Sequence, residues 1–366
     1  HQMTATFNRT MKSFTEIFQY VDDLPVGFKR GTQDPTRVHG TCALCHTAVL
    51  PDGRYWLGAP ASGLKYAQFQ IDVNEAWVAA GNAPILSDGD IAELEVMGPG
   101  RTNAGPSSYG IVPDDTPAIY DLASRTRLSK MGTTLNLKSE AYLSLFGFGA
   151  GKAKDESGEP ITPFPSDEYL APFLATFGQF SPPPPIDPGD ADLIARGAEI
   201  YESEACGSCH TDHTADDVVP AVDETEGAPE YKPGESDEYP TGTIRTDPFQ
   251  YGLVGDGGDG GSDGIDQGYE EFVLFIIEKG LAIEQSKGYV TPDLRGLWAS
   301  APFLHNGSVP TVADLLKPPA ERPATFDVYG VERTTDFEGA TNVGHTFGTQ
   351  LSDEDKKALE AYLLSL

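Results

Sequence analysis

The chain has 366 residues, 56 of them acidic and 25 basic, giving a formal charge of −31. Charge of that sign and size excludes a nucleic-acid partner, disfavours anionic membranes and suits a basic protein partner. No run of about 18 apolar residues occurs, so no membrane span is expected; the longest apolar stretch, FVLFII at 272–277, has core-helix length.

In chain order, the first residue is His1, not methionine, as in a processed chain. The stretch MKSFTEIFQYVDDL then has the periodicity of an amphipathic helix. TCALCH follows at 41–46, and ACGSCH repeats the pattern at 205–210, so the two copies use all four cysteines of the chain. Three chemistries compete for such a pattern: a redox dithiol, a zinc site and covalent haem. C-x-x-C-H is a c-type haem attachment pattern. Two thiols that add to the two vinyl groups of one porphyrin need a fixed separation, and two intervening residues in a helical turn supply it. The histidine directly after the second cysteine can then ligate the iron. A dithiol needs no such histidine. A zinc ribbon wants its pairs about 15–20 residues apart, and 160 residues separate Cys45 from Cys206. Cys42, Cys45 and His46 are therefore read as one haem site, and Cys206, Cys209 and His210 as a second. Covalent haem attachment takes place outside the cytoplasm, so a periplasmic or extracellular location is expected.

The second ligand of each iron is the next question. The four methionines, Met3, Met11, Met97 and Met131, all lie in the first half. Met131 and Met97 are candidate thioether ligands for the first iron, with a buried core methionine as the alternative for each. An open first iron, able to bind peroxide or oxygen, is also allowed. His39 is close in sequence to His46, which places it toward the proximal side. In the second half, His213 follows His210 too closely to reach the opposite face. His345 stands in the glycine-flanked loop TNVGHTFGTQ, seven residues before Ser352, and is the candidate ligand opposite His210.

SPPPPIDPGD at 181–190 reads as a stiff polyproline linker between residues 1–180 and 191–366, each carrying one motif. Beyond it, Leu193, Ile194, Gly197, Ile200 and Tyr201 recur at helical spacing up to the second motif. Residues 211–240 hold ten acids and one lysine, the composition of an exposed loop. Asp256, Asp259, Asp263 and Asp266 on the next glycine-rich loop are candidate calcium ligands; their spacing is not that of an EF-hand, and a solvated loop is the alternative. The last segment opens with Ser352 as N-cap and acids in its first turn, and it shows an apolar face of Leu359, Tyr362, Leu363 and Leu366.

Two stretches, TPDLRGLWASAPFLHNGSVPTVADLL at 291–316 and NVGHTFGTQLSDEDKKALEAYLLSL at 342–366, resemble the di-haem cytochrome c peroxidase superfamily. Within it the likeness is to the rubber-oxygenase branch, through HNGSVPT at 305–311, TDP at 246–248 and the late Gly-His pair. The resemblance spans about the last 170 residues and is weaker, chiefly CALCHT and GPGR, over the first half. It implies two haems close enough to exchange electrons and a His345 ligand to the second. It also implies a structural or inter-haem place for His305, while Trp298 either assists electron passage or simply packs.

The expectation that results is a mainly α chain of two cytochrome-c-like haem domains with long loops and little β-structure. Its cofactors would be two covalently bound haem c groups, with calcium as an addition. Its function would be electron transfer with a redox partner protein, or with copies of itself. Reduction of hydrogen peroxide at the first haem is the leading specific activity. A pure electron carrier and a haem dioxygenase acting on a hydrophobic substrate are the alternatives.

Overall fold

The computed structural model describes residues 20–103, 113–147, 163–210, 218–220, 275–283 and 288–366, apart from 22–23, 32–34, 37, 129, 131–133, 188 and 336–338. Met131, His213, the four candidate calcium aspartates and nearly all of the expected N-terminal helix lie outside the described residues.

The fold is not mainly α. Among the described residues 39% are helical and 14% lie in strands, a mixed content with helix only slightly above the ordinary share. Strands pair as six two-stranded antiparallel ribbons. Phe28–Arg30 pairs with Val38–Gly40, and Thr47–Val49 with Tyr55–Leu57, so the first motif sits between two ribbons. With 40 glycines and 29 prolines, uninterrupted helical runs are short and tight reversals frequent.

The longest helices frame the two motifs. Tyr66–Ala79 lies beyond the first, and Ala191–Ser203 leads into the second. Asp190 caps Ala191–Ser203, accepting from the amides of Asp192 (2.9 Å) and Leu193 (3.2 Å). The C-terminal helix, Asp353–Leu364, is capped by Ser352, whose hydroxyl accepts from the Asp355 amide at 3.2 Å. The two helices pack so closely at Gly197 that a Cβ there would lie 2.1 Å from the Ala358 carbonyl oxygen. Ile200, Tyr201, Leu294, Leu297, Val312, Leu316, Ala358 and Leu359 form the core around this crossing.

A division into two domains at 181–190 is not supported by the packing. Buried side chains tie the two halves together. Arg101, fully buried, donates from Nε to the Asn306 carbonyl (2.6 Å) and from Nη2 to that of Gly307 (3.2 Å). Arg333, 1% exposed, donates from Nη1 to Gly307 O (2.7 Å) and pairs with Asp115 (3.4 Å). It also donates from Nη2 to Pro99 O. Gly307 has a φ of +59° at the centre of this cluster, and a Cβ there would lie 2.4 Å from Asp115 Oδ1. The first residues of the proline segment are held from two sides: Trp56 donates to Ser181 O at 2.8 Å and Trp298 to Pro183 O at 3.1 Å. Gly296 fits beneath it, where a Cβ would meet Pro182 at 2.8 Å. The stiff proline segment is thus strapped to side chains from both halves. Among the described residues, no helix is long and apolar enough to cross a membrane.

Candidate functional site

The two C-x-x-C-H segments share the same pair of backbone hydrogen bonds on different supports. In the first, Cys42–Cys45 forms one helical turn; the Leu44 amide donates to Thr41 O (2.9 Å) and the His46 amide to Cys42 O (3.0 Å). In the second, Cys206–Ser208 is a 3₁₀ turn; Ser208 N donates to Ala205 O (2.9 Å) and His210 N to Cys206 O (3.0 Å). Each turn therefore presents two sulfurs and then an imidazole in the same order. No disulfide joins the cysteines.

Three neighbours fix the first turn. Thr41 donates its amide (2.8 Å) and its hydroxyl (3.0 Å) to Gly27 O, and Ala61 N donates to Cys45 O (2.8 Å). The third contact is Gly58 N to His46 O at 2.8 Å. Gly27 adopts φ +94°, and a Cβ there would lie 2.3 Å from Leu44 Cα, so only glycine allows this approach. Leu44, Cys45, Ala61 and Leu64 form the local core. The His46 Nδ1 lies 3.1 Å from Pro117 O. With the proton on Nδ1, Nε2 is left as a lone-pair donor. Burial, and to a smaller extent Lys130, lowers the His46 pKa to about 4, so its imidazole is neutral at neutral pH.

At the second turn, Cys206 packs against the core beside Ala191–Ser203. Tyr201 donates its hydroxyl to His210 O at 2.8 Å and meets Tyr362 edge-on at 5.5 Å. His345 is brought near His210. Burial first, then the charges of His210 and Arg322, lower the His345 pKa to about 4. Its backbone is left-handed, with φ +48°, and its Nδ1 is buried with no hydrogen-bond partner among the described residues.

These features bear on the three chemistries. A reactive dithiol needs a stabilised thiolate. Burial pushes the Cys45 thiol up to about 12 and also raises Cys42 and Cys206. Among the described residues, no group of three or more metal-binding side chains could hold an ion by itself. At the first motif, neutral thiols paired on a turn and followed by a neutral imidazole fit haem.

Met97 is fully buried in the turn before Gly98. His39 lies on the exposed Val38–Gly40 strand, and His305 stacks on Tyr289 at 4.7 Å. The His305 carbonyl accepts from Lys130 Nζ (2.5 Å) and Asp115 N (2.9 Å). Trp298 holds the proline strap. A cavity of about 350 Å³ adjoins the first motif, lined by Thr47, Leu50, Ala61, Leu64 and Tyr329 among others. The Thr47 hydroxyl there has no hydrogen-bond partner among the described residues.

Several site residues were not evident from sequence. Lys130 bonds Asp114 Oδ1 (2.5 Å) and Asp115 O, on the strand that runs on to Pro117 and so to His46. Burial raises the Glu140 carboxyl above the ordinary range; it accepts from the Thr134 hydroxyl at 2.5 Å. Arg322 gathers backbone carbonyls around His345. The one signal for it was an arginine between prolines, in PPAERPATF.

Residues 288–327 match the RoxA-like, cytochrome c-like family. The chain is also similar to two proteins of Sinorhizobium fredii (strain NBRC 101917 / NGR234). Uncharacterized protein y4iJ is 37% identical over 111 residues, covering 23% of this chain and 19% of that protein. Uncharacterized protein y4iM is 58% identical over 40 residues, covering 11% of this chain and 9% of that protein. The chain thus spans about a fifth and about a tenth of the lengths of these curated relatives. The matched segment supplies Leu294, Leu297, Val312 and Leu316 to the core around the second motif. This part of the chain is similar to RoxA-like, cytochrome c-like domains, and a covalently bound haem c is the cofactor that the likeness implies.

Proposed function

We propose that the chain is a di-haem c-type cytochrome working as an electron-transfer oxidoreductase. The observation that carries this reading is the repetition, on two unrelated local scaffolds, of one closed turn that presents two thiols and an imidazole. Cys42 and Cys45 would hold one haem, with His46 toward its iron. Cys206 and Cys209 would hold the other, with His210 and His345 as the residues offered to its iron. Bound haem supplies reversible one-electron chemistry. The chain supplies orientation and neutrality: Pro117 O aligns the His46 ring, Tyr201 anchors the His210 backbone, and burial keeps His46 and His345 as lone-pair donors. Covalent attachment places the chain outside the cytoplasm, and the charge of −31 favours a basic redox partner.

Hydrogen peroxide reduction at the first motif is the specific activity we favour. The cavity beside Thr47 gives a small oxidant room. The family match over 288–327 favours a second reading, a haem dioxygenase acting on an apolar substrate.

Intact-mass measurement tests the reading. The mature protein should carry two covalently added haems, one lost in Cys42→Ala/Cys45→Ala and the other in Cys206→Ala/Cys209→Ala. A polypeptide of bare mass ends the proposal. The oxidised spectrum then separates carrier from catalyst. Purely low-spin iron gives a carrier, and a high-spin component that shifts with peroxide or cyanide gives a catalyst.

A further inference from the structure

We propose that Arg322 is the positioning residue that presents His345 to the second iron; the inference rests on the His210/His345 pairing proposed above. Arg322 is 5% exposed, and all five of its N–H donors meet backbone carbonyls. Nε reaches Lys317 O at 3.1 Å. Nη1 reaches Asn342 O (2.5 Å) and Gly344 O (2.8 Å), and Nη2 reaches Leu315 O (3.0 Å) and His345 O (3.0 Å). Three of the five belong to the loop that carries His345, and the other two to the chain around the Val312–Leu315 helix.

The loop has no regular secondary structure over 340–346, and Asn342 Nδ2, which donates to Pro323 O at 3.3 Å, adds a further tie. Gly344 has φ +95°, and His345 itself is left-handed. A left-handed non-glycine residue persists only where its surroundings over-determine it. The start of the loop is held by Asn306, whose Nδ2 donates to Gly339 O and Thr341 O, both at 3.0 Å. Its end is held by the guanidinium. A planar fork with five fixed donors can hold carbonyls from two chain segments at once, whereas a lysine ammonium has three donors at a single point. The contact is made to the carbonyl of His345 and not to its ring, which meets Phe347 edge-on at 5.6 Å. Arg322 thus acts through the placement of His345 and does not itself touch the cofactor.

The test uses the full chain with both haems attached, comparing wild type, Arg322→Lys, Arg322→Gln and His345→Gly by electron paramagnetic resonance and by the potential of the second haem. His345→Gly should convert the second haem from low-spin to high-spin. Both Arg322 variants should lose the greater part of the same low-spin signal, shift the potential in the same direction, and recover on addition of imidazole. Arg322 variants with a wild-type spectrum and potential, beside an altered His345→Gly, overturn the positioning role alone. An unaltered His345→Gly overturns the ligand pairing and this inference with it. Should neither Arg322 variant accumulate with both haems, hydrogen exchange in the wild-type protein decides. Amides at 342–346 should open together with those at 315–322, and an independent opening of 342–346 overturns the proposal.

Discussion

Arg101 Nε donates to the carbonyl oxygen of Asn306 at 2.6 Å, joining residues 205 positions apart. Asn306 in turn holds the loop that leads to His345. The same buried cluster continues through Arg333 and Asp115 to Lys130, and from the Pro113–Asp115 strand through Pro117, just beyond it, to His46. The supports of both motifs therefore meet in one polar network. A buried guanidinium is tolerated only when its donors are satisfied and charge is balanced, so the network is sensitive to loss of a single member.

Asp115 is the member to remove. It lies among Arg333, Lys130 and Arg101, and it is 5% exposed. Asp115→Ala leaves these cations buried with less compensation and is expected to cost about 3–5 kcal/mol. The urea midpoint should fall with little change in slope. A loss below about 1 kcal/mol would show that the halves are held by other contacts.

At Gly197 the expected effect is local. A Val side chain cannot fit where a Cβ would already lie 2.1 Å from Ala358 O and 2.5 Å from the Tyr362 Cβ. Gly197→Val should push the Ala191–Ser203 and Asp353–Leu364 helices apart at about 1–3 kcal/mol. Haem loading at Cys206 and Cys209 should fall while that at Cys42 and Cys45 stays. Equal loss at both motifs would contradict this assignment of supports.

Much of the second motif's surroundings was legible in the sequence. Ser352 announces its helix by side-chain chemistry, and Leu193, Ile200 and Tyr201 announce theirs by spacing, because both helices bury one stripe. The ribbons were not legible: strands such as Thr47–Val49 are too short for an alternating pattern to register. Nor were Arg101, Arg322 and Arg333, since a long charged side chain reads as surface until its carbonyl partners, distant in sequence, are known. The contacts of the proline run were hidden in the same way. Its stiffness was evident, but Trp56 and Trp298, which turn it into a strap, come from opposite halves of the chain.

That strap yields a further expectation. Trp56→Phe and Trp298→Phe each delete one N–H donor while keeping most of the ring's bulk. Each should lower stability by about 1 kcal/mol. The double variant should expose 181–187 to limited proteolysis sooner than wild type. Unchanged cleavage would mean that Gly296 and its proline contacts hold the strap alone.

The last prediction concerns acid, before haem is attached. His46 and His345 have pKa values of about 4 in the folded chain, against an ordinary 6.5. As pH falls through 6.5 the unfolded chain takes up a proton at each, while the folded chain takes them up only near 4. The unfolded state therefore binds more protons between those limits, and stability falls as the medium is acidified from 6.5 to 4. Below about 4 the two histidines contribute no further change. Asp115 and Glu140, raised by burial, act in the opposite sense, because the folded chain retains their protons to higher pH. Comparison with His345→Gln isolates one histidine from this background. The variant should show a shallower stability–pH slope across 4 to 6.5, by up to about 1.4 kcal/mol per pH unit. Parallel urea-denaturation profiles for the two proteins would show that the His345 imidazole is not held neutral inside the fold, and would remove the reason to expect it as a ready-made iron ligand.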